Sequence, residues 1–95
     1  MIFKYQIRRT INRTSNSLLS NLDKDKILKT LGLRIKKIRL QQNLSRYQLA
    51  FETKTSEKHI RQIENAEINT SVYKLCQIAE ALGVKPEELF TNTKK

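Results

Sequence analysis

The stretch that decides the fold is SRYQLAFETKTSEKHIRQIEN, residues 45–65. Its first residue is a serine, and Gln48 follows three positions later, which is the capping box that opens a helix. The segment Thr-Lys-Thr at 53–55 continues a helix poorly, and Ser56 is a second N-cap residue. The sequence therefore predicts two short helices separated by a break of about three residues, the second over residues 57–65.

The second of these helices is predicted to have two different faces. At about 100° per residue, Ile60 and Ile63 lie on one side, and the polar side chains gather within about 140° on the other. The polar group consists of Glu57, Lys58, Arg61, Gln62 and Asn65. Gln pairs with adenine, Lys or Arg with guanine, and Glu accepts from cytosine, so this face can read the edges of DNA bases. The same pattern is also typical of an ordinary amphipathic helix with a solvated face.

Helical signals continue on both sides of this stretch. Asp23 can cap a first helix that extends to about residue 42. A fourth helix, capped by Ser71 or a neighbour, ends at Gly83, and Pro86 opens a last short turn. The predicted inward residues are Leu28, Leu31, Ile35 and Ile38 in the first helix, Leu49 and Ala50 in the second, and Val72, Leu75, Ile78, Ala79 and Leu82 in the fourth. The predicted fold is all-α, a compact bundle of five short helices.

The composition indicates one small domain with a polyanionic partner. The 95 residues carry 19 Lys and Arg against 9 Asp and Glu, a formal net charge of +10. This excess favours nucleic acid first, and an anionic membrane surface second. The chain has only 2 Gly and 1 Pro, which argues against a many-stranded β fold.

Several classes of function are not expected. Cys76 is the only cysteine, which excludes an intramolecular disulfide and a multi-cysteine zinc site and is typical of a reducing cytoplasm. His59 has no Cys or carboxylate at ligand spacing, so no metal is predicted. No nucleophile motif or phosphate-binding glycine loop occurs, and no run approaches the roughly 18 apolar residues of a membrane span. The sequence predicts a cytoplasmic protein without a cofactor that is neither an enzyme nor membrane-bound.

Three segments are predicted: residues 1–30, a basic N-terminal arm and the start of the first helix; residues 31–90, the helical domain; and residues 91–95, a short basic tail. Residues 1–30 contain seven basic and two acidic side chains, a net charge of +5. Near the start of the arm three apolar side chains, Phe3, Tyr5 and Ile7, alternate with polar ones, a weak signal for a strand or an extended segment. We expect the arm to lack a core, and Arg8, Arg9 and Arg13 to add contacts to phosphates or to the minor groove.

Four runs within residues 31–90 fall at spacings that match one known family. They are LGLRI at 31–35 with Ile38 and Arg39, LSRYQLA at 44–50, IRQIEN at 60–65 after Ser56, and LCQIAEALGV at 75–84 followed by ELF at 88–90. In these runs the chain resembles the Cro-type helix-turn-helix family of phage repressors, Cro proteins and xenobiotic-response-element-like bacterial regulators. The resemblance implies a five-helix bundle in which the second helix lies across the DNA backbone and the third enters the major groove.

The resemblance also implies roles for individual side chains. The base-reading positions are Glu57, Lys58, Arg61 and Gln62. Arg46, at the start of the second helix, and Asn65, just after the third, match positions that hold phosphates. Arg46 stands where the family usually has Gln, and Arg is the stronger phosphate ligand but braces the third helix differently. Arg39 and Glu64 match a structural ion pair that ties the first helix to the third.

Four residues depart from the family pattern. Lys54 stands where the family prefers Gly, and a left-handed backbone there is strained by about 1 kcal/mol. Thr53 replaces an apolar residue that seals the second helix, Ala66 replaces the Gly after the third helix, and Thr70 replaces a Pro before the fourth. These departures affect the expected geometry of the turn and not the fold.

The first hypothesis for function is a sequence-specific transcriptional regulator, a repressor that binds a two-fold related operator in double-stranded DNA as a homodimer. Two half-sites about one helical turn apart add their binding energies. We expect the dimer interface at the exposed ends of the fourth helix and at the Pro86–Phe90 turn. Two alternatives share the fold: an antitoxin-like module that masks a protein partner through an apolar extension such as residues 3–7, and a restriction–modification controller.

Overall fold

The computed structural model describes residues 23–90, and every regular element in that range is a helix. The elements are α1 (Lys24–Gln41), α2 (Arg46–Glu52), α3 (Glu57–Glu64), α4 (Val72–Leu82) and a 3₁₀ helix (Pro86–Phe90). The all-α prediction is confirmed, but the described residues form four α-helices and not five. The predicted fifth helix has only five residues and closes as a 3₁₀ helix, the form that short terminal turns favour. Residues 1–22 of the predicted arm, with Arg8, Arg9 and Arg13, and the predicted tail at 91–95 lie outside the described residues.

Each α-helix begins at a side chain that caps its free backbone N–H groups. The four N-cap residues are Asp23, Ser45, Ser56 and Ser71. At α2 the cap is reciprocal, because Ser45 Oγ accepts from Gln48 N at 3.0 Å and Gln48 Oε1 accepts from Ser45 N at 2.8 Å. α4 ends at Gly83, whose φ of 73° lies in the left-handed region. The predicted starts and this predicted end are confirmed.

The helices enclose a single core of buried apolar side chains. The core consists of Leu31, Ile35, Ile38, Leu49, Ala50, Ile60, Ile63, Leu75, Ile78, Ala79, Leu82 and Leu89. Two residues that were predicted to be buried are not part of this core: Leu28 is only half-buried and Val72 is 75% exposed. Val72 lies in the first turn of α4, before Leu75, which is the first residue of that helix to be buried. Val72 lies on the side of α4 that faces the core, as predicted, but no neighbouring helix of the described residues covers it.

α1 approaches α3 closely at Gly32. A Cβ atom on this residue would lie 2.5 Å from the carbonyl oxygen of Glu64 and 2.6 Å from that of Ile63. These distances are shorter than van der Waals contact, so only a residue without a side chain lets α1 rest on the C-terminal end of α3. Gly32 thereby sets the position of α3 relative to α1.

Candidate nucleic-acid interface

The connection between α2 and α3 contains a left-handed residue. Lys54 has a φ of 51°, so the conformation that was considered in the sequence analysis is present at this position. The turn is closed by Thr55 N, which donates to the carbonyl oxygen of Ala50 at 2.9 Å. A left-handed backbone costs a non-glycine residue about 1–2 kcal/mol, and this strain must be offset by neighbouring contacts.

Two hydrogen-bonded contacts at Thr53 stabilise the chain next to Lys54. Thr53 is 1% exposed, and its Oγ1 donates to the carbonyl oxygen of Leu49 at 2.8 Å. The hydroxyl is therefore satisfied in a place where the family has an apolar side chain. In addition, Lys74 Nζ donates to the carbonyl oxygen of Thr53 at 2.8 Å. Lys74 of α4 thus holds the C-terminal end of α2, a contact that was not predicted from the sequence.

α3 presents its polar side chains on the side away from the core. Ile60 and Ile63 are buried, whereas Glu57, Lys58 and Arg61 are exposed and Gln62 is half-buried. Asn65 is the C-cap residue of α3 and is exposed. Within residues 23–90 the side chains of the four predicted base-reading residues form no hydrogen bond or ion pair with the protein. They are free to contact a partner.

Glu64, the last residue of α3, joins three helices through one carboxylate. Arg39 of α1 contacts it twice, with Nε 2.7 Å from Oε2 and Nη2 3.1 Å from Oε1. Arg46 of α2 contributes a third bond, with its Nε 3.0 Å from Oε1. The side chain of Glu64 has no exposed surface, and that of Arg39 is 7% exposed. Burying a carboxylate is costly unless it is paired, and two arginines supply the pairing.

The side chain of Arg46 is bonded to the protein at one atom and partly exposed to solvent elsewhere. Its Nε is bonded to Glu64, whereas its side chain keeps 27% of its surface exposed at the start of α2. The guanidinium group has five N–H donors, and only one of them is used by Glu64. The predicted phosphate ligand also braces α3, as the resemblance implied, and its partner there is Glu64, which was not predicted. The two residues are 18 positions apart in the chain, and no local pattern connects them.

The remaining singled-out side chains form ordinary structural contacts. His59 Nε2 lies 3.2 Å from Thr70 Oγ1, which links α3 to the loop before α4. Cys76 on α4 is half-buried. Across residues 23–90 there is no group of three or more His, Cys, Asp or Glu side chains that could hold a metal ion. No helix in that range is long and apolar enough to cross a membrane.

Positive charge is distributed unevenly over the described residues. α1 contains seven basic side chains and one acidic side chain, a net charge of +6. Residues 42–90 contain six basic and seven acidic side chains, a net charge of −1. The segment 46–65 itself carries four basic and three acidic side chains, so its net charge is only +1. The polycationic surface of the described residues is therefore on α1 and not on the two helices of the turn.

Comparison with known proteins assigns this arrangement to a family. The family described as Helix-turn-helix matches residues 35–89, more than half of the chain. This chain is a Cro-type helix-turn-helix protein. The family consists of DNA-binding transcriptional regulators, and the resemblance that we described from the sequence is confirmed.

The helix-turn-helix protein has similar relatives among both curated sequences and solved structures. It is 36% identical over 63 residues to control protein C.BamHI of Bacillus amyloliquefaciens, covering 65% of this chain and 78% of the relative. Its structure is similar to that of the restriction-modification controller protein C.AhdI from Aeromonas hydrophila, with a TM-score of 0.65 and 30% identity over 66% of this chain and 96% of the other. The hypothetical transcription factor NHTF from Neisseria shares the fold, with a TM-score of 0.68 and 20% identity over 73% of this chain and 79% of the other.

Proposed function

We propose that this helix-turn-helix protein is a repressor that binds a specific site in double-stranded DNA by placing α3 in the major groove. The observation that carries the proposal is the division of α3 into a buried side, Ile60 and Ile63, and an outer side of unbonded polar residues. The base-reading residues are Glu57, Lys58, Arg61 and Gln62. Arg46 and Asn65 hold phosphates on either side of the reading helix.

The proposed regulator acts as a homodimer in the cytoplasm. Four reading side chains give one module too few base contacts for tight selection, and a second copy on a two-fold related half-site doubles them. The proposed interface is formed by the exposed ends of α4 and by the 3₁₀ helix. This proposal is supported by Val72 and Tyr73 at the start of α4, which are 75% and 71% exposed.

The basic arm is proposed to add affinity without sequence information. Its three arginines, Arg8, Arg9 and Arg13, contact phosphates or the minor groove beside the half-site. Deletion of residues 1–22 is expected to reduce the log–log salt slope of DNA binding by about one to three units. An unchanged slope would remove the arm from the DNA complex.

A restriction–modification controller is the second candidate function. The observation that favours it is the similarity to two proteins that are named as controllers, C.BamHI and C.AhdI, at 36% and 30% identity. This candidate keeps the same DNA-binding chemistry and differs in the genes that are regulated. Methyltransferase and endonuclease genes beside the gene for this chain would favour the controller.

Selection of bound duplexes from a random pool tests the proposed function. We expect a palindromic consensus with half-sites about one helical turn apart. Sedimentation of the selected complex should then give two chains per duplex. A pool without an enriched sequence would contradict specific binding, and one chain on a single half-site would contradict the dimer.

A further inference from the structure

α1 carries a cationic and partly apolar surface on the side opposite to the core. Six residues lie within about 100° of its circumference. They are Lys26, Lys29, Leu33, Lys36, Lys37 and Leu40, which we call the lysine–leucine face. Leu33 is 60% exposed and Leu40 is 53% exposed, so two large apolar side chains stand in water between the lysines. The face extends for about 21 Å along the helix, which is about four turns.

A small cleft opens at one end of this face, between the first turns of α1 and the 3₁₀ helix. It has a volume of about 180 Å³ and is lined by Lys26, Ile27, Thr30 and Phe90. Ile27 and Phe90 are 43% and 56% exposed, so the apolar walls of the cleft are in contact with water. A cavity of about 150 Å³ holds a benzene ring, and the cleft can therefore take one large apolar side chain.

The charge of the lysine–leucine face is not neutralised by the described part of the chain. Glu64 makes two ion pairs with arginines, and none of the four lysines of the face is paired within residues 23–90. Residues 1–22 add four basic and no acidic side chains and residues 91–95 add two lysines, so the side chains of these two segments add only positive charge. A second copy docked face to face would oppose lysines with lysines. A partner complementary to this face is therefore acidic.

The apolar residues of the face distinguish a protein partner from DNA. Phosphates pair with lysines, but a duplex backbone buries neither the two leucines nor a side chain in the cleft. A helix with an apolar stripe flanked by Asp and Glu satisfies the leucines, the cleft and the lysines together. We infer that the lysine–leucine face and its cleft bind an acidic amphipathic helix of a protein partner. One apolar side chain of the partner fills the cleft, and its carboxylates pair with the lysines.

The test uses the full chain and a synthetic fluorescent peptide of 18 residues. The peptide carries leucines at helical spacing on one face and glutamates beside them, and a control peptide of the same composition has its leucines spread around the helix. We expect the first peptide to bind at least about tenfold more tightly than the control. The double variant Leu33→Gln, Leu40→Gln should lose this advantage. The matched control variant Tyr47→Gln, Phe51→Gln removes two apolar residues on α2 that are 66% and 75% exposed, and it should keep the advantage.

Binding to duplex DNA, measured on the same variants, separates this inference from the proposed function. The leucine variant keeps every charge, so its affinity for duplex DNA should equal that of the wild type. Equal binding of the two peptides, or a peptide affinity that survives the leucine changes, would overturn the inference. The inference would also be overturned if the leucine variant kept its affinity for the peptide but bound DNA more weakly. The same holds if it kept its affinity for the peptide but bound vesicles of anionic phospholipid more weakly. A protein that binds the peptide but no DNA would contradict only the proposed function.

Discussion

Arg46 Nε lies 3.0 Å from Glu64 Oε1, so the first residue of α2 is bonded to the last residue of α3. The other bonds of this carboxylate go to Arg39 of α1, whose Nη1 also donates to the carbonyl oxygen of Leu44 at 2.8 Å. One buried acidic side chain therefore joins the three helices around the turn and helps to fix their relative positions.

Alanine substitutions in the ion-pair network should reduce the free energy of unfolding by unequal amounts. Glu64→Ala leaves the buried guanidinium of Arg39 without its carboxylate and should reduce the free energy of unfolding by about 3–5 kcal/mol. Arg46→Ala leaves the Arg39–Glu64 pair in place and should cost about 1 kcal/mol. Urea unfolding followed by circular dichroism measures both values. Similar losses in the two variants would show that the network is not organised around Arg39 and Glu64.

The two glycines should respond differently to the same substitution. Gly32→Ala places a methyl group against two carbonyl oxygens of α3, at 2.5 and 2.6 Å, and must push α1 and α3 apart. We expect a loss of about 1–3 kcal/mol, as for other overpacked sites. Gly83→Ala meets no atom within 4 Å and only strains a backbone with a φ of 73°, at about 1 kcal/mol. In DNA binding, Gly32→Ala should also lose affinity because α3 is displaced, whereas Gly83→Ala should not.

Relief of backbone strain should stabilise the protein at two positions. Lys54 and Ala66 have φ values of 51° and 60°, which glycine adopts without a steric cost. Lys54→Gly and Ala66→Gly should each raise the free energy of unfolding by about 0.5–1 kcal/mol. Glu80→Gly, at an exposed position inside α4, is the control and should lower it by about 1 kcal/mol. Thermal unfolding of the three variants measures these changes. A lower midpoint in all three would show that Lys54 and Ala66 are not strained.

Base reading and phosphate holding can be separated by comparing two variants on two duplexes. Gln62→Ala should lose about 1–3 kcal/mol on the selected site and little on a scrambled duplex. Arg46→Ala should weaken both complexes by a similar factor and lower the salt slope by about one unit. Titrations at several salt concentrations give these values. Equal losses on both duplexes for Gln62→Ala would place the reading face elsewhere.

The parts of the fold that follow from local chemistry could be predicted from the sequence. Ser45, Ser56 and Ser71 cap backbone groups within three residues of themselves, so each helix start is encoded where it occurs. The exposure of Val72 could not be predicted, because periodicity gives the direction of a side chain and not the extent of the helices that cover it. The 3₁₀ form of residues 86–90 was missed since its five residues are too few to distinguish two kinds of helix.

Contacts between distant residues were beyond the reach of local patterns. Lys74 reaches the carbonyl oxygen of Thr53 across 21 positions, and nothing in the segment around either residue indicates the bond. Gly32 is a partial exception, because a glycine inside a helix lowers helix stability by about 1 kcal/mol and therefore indicates a structural requirement at that position. The requirement is the close approach of α3. The roles of Glu57, Lys58, Arg61 and Gln62 in DNA binding stay predictions.

The unbonded outer side of α3 has a consequence for re-engineering. Within residues 23–90 the side chains of Glu57, Lys58 and Gln62 form no hydrogen bond or ion pair, whereas Ile60 and Ile63 belong to the buried core. The outer positions can therefore be randomised together in a library without loss of the scaffold. With the proposed base-reading role, such a library would make new target sequences accessible through a few codons, and unrelated operators could be assigned to copies of one domain.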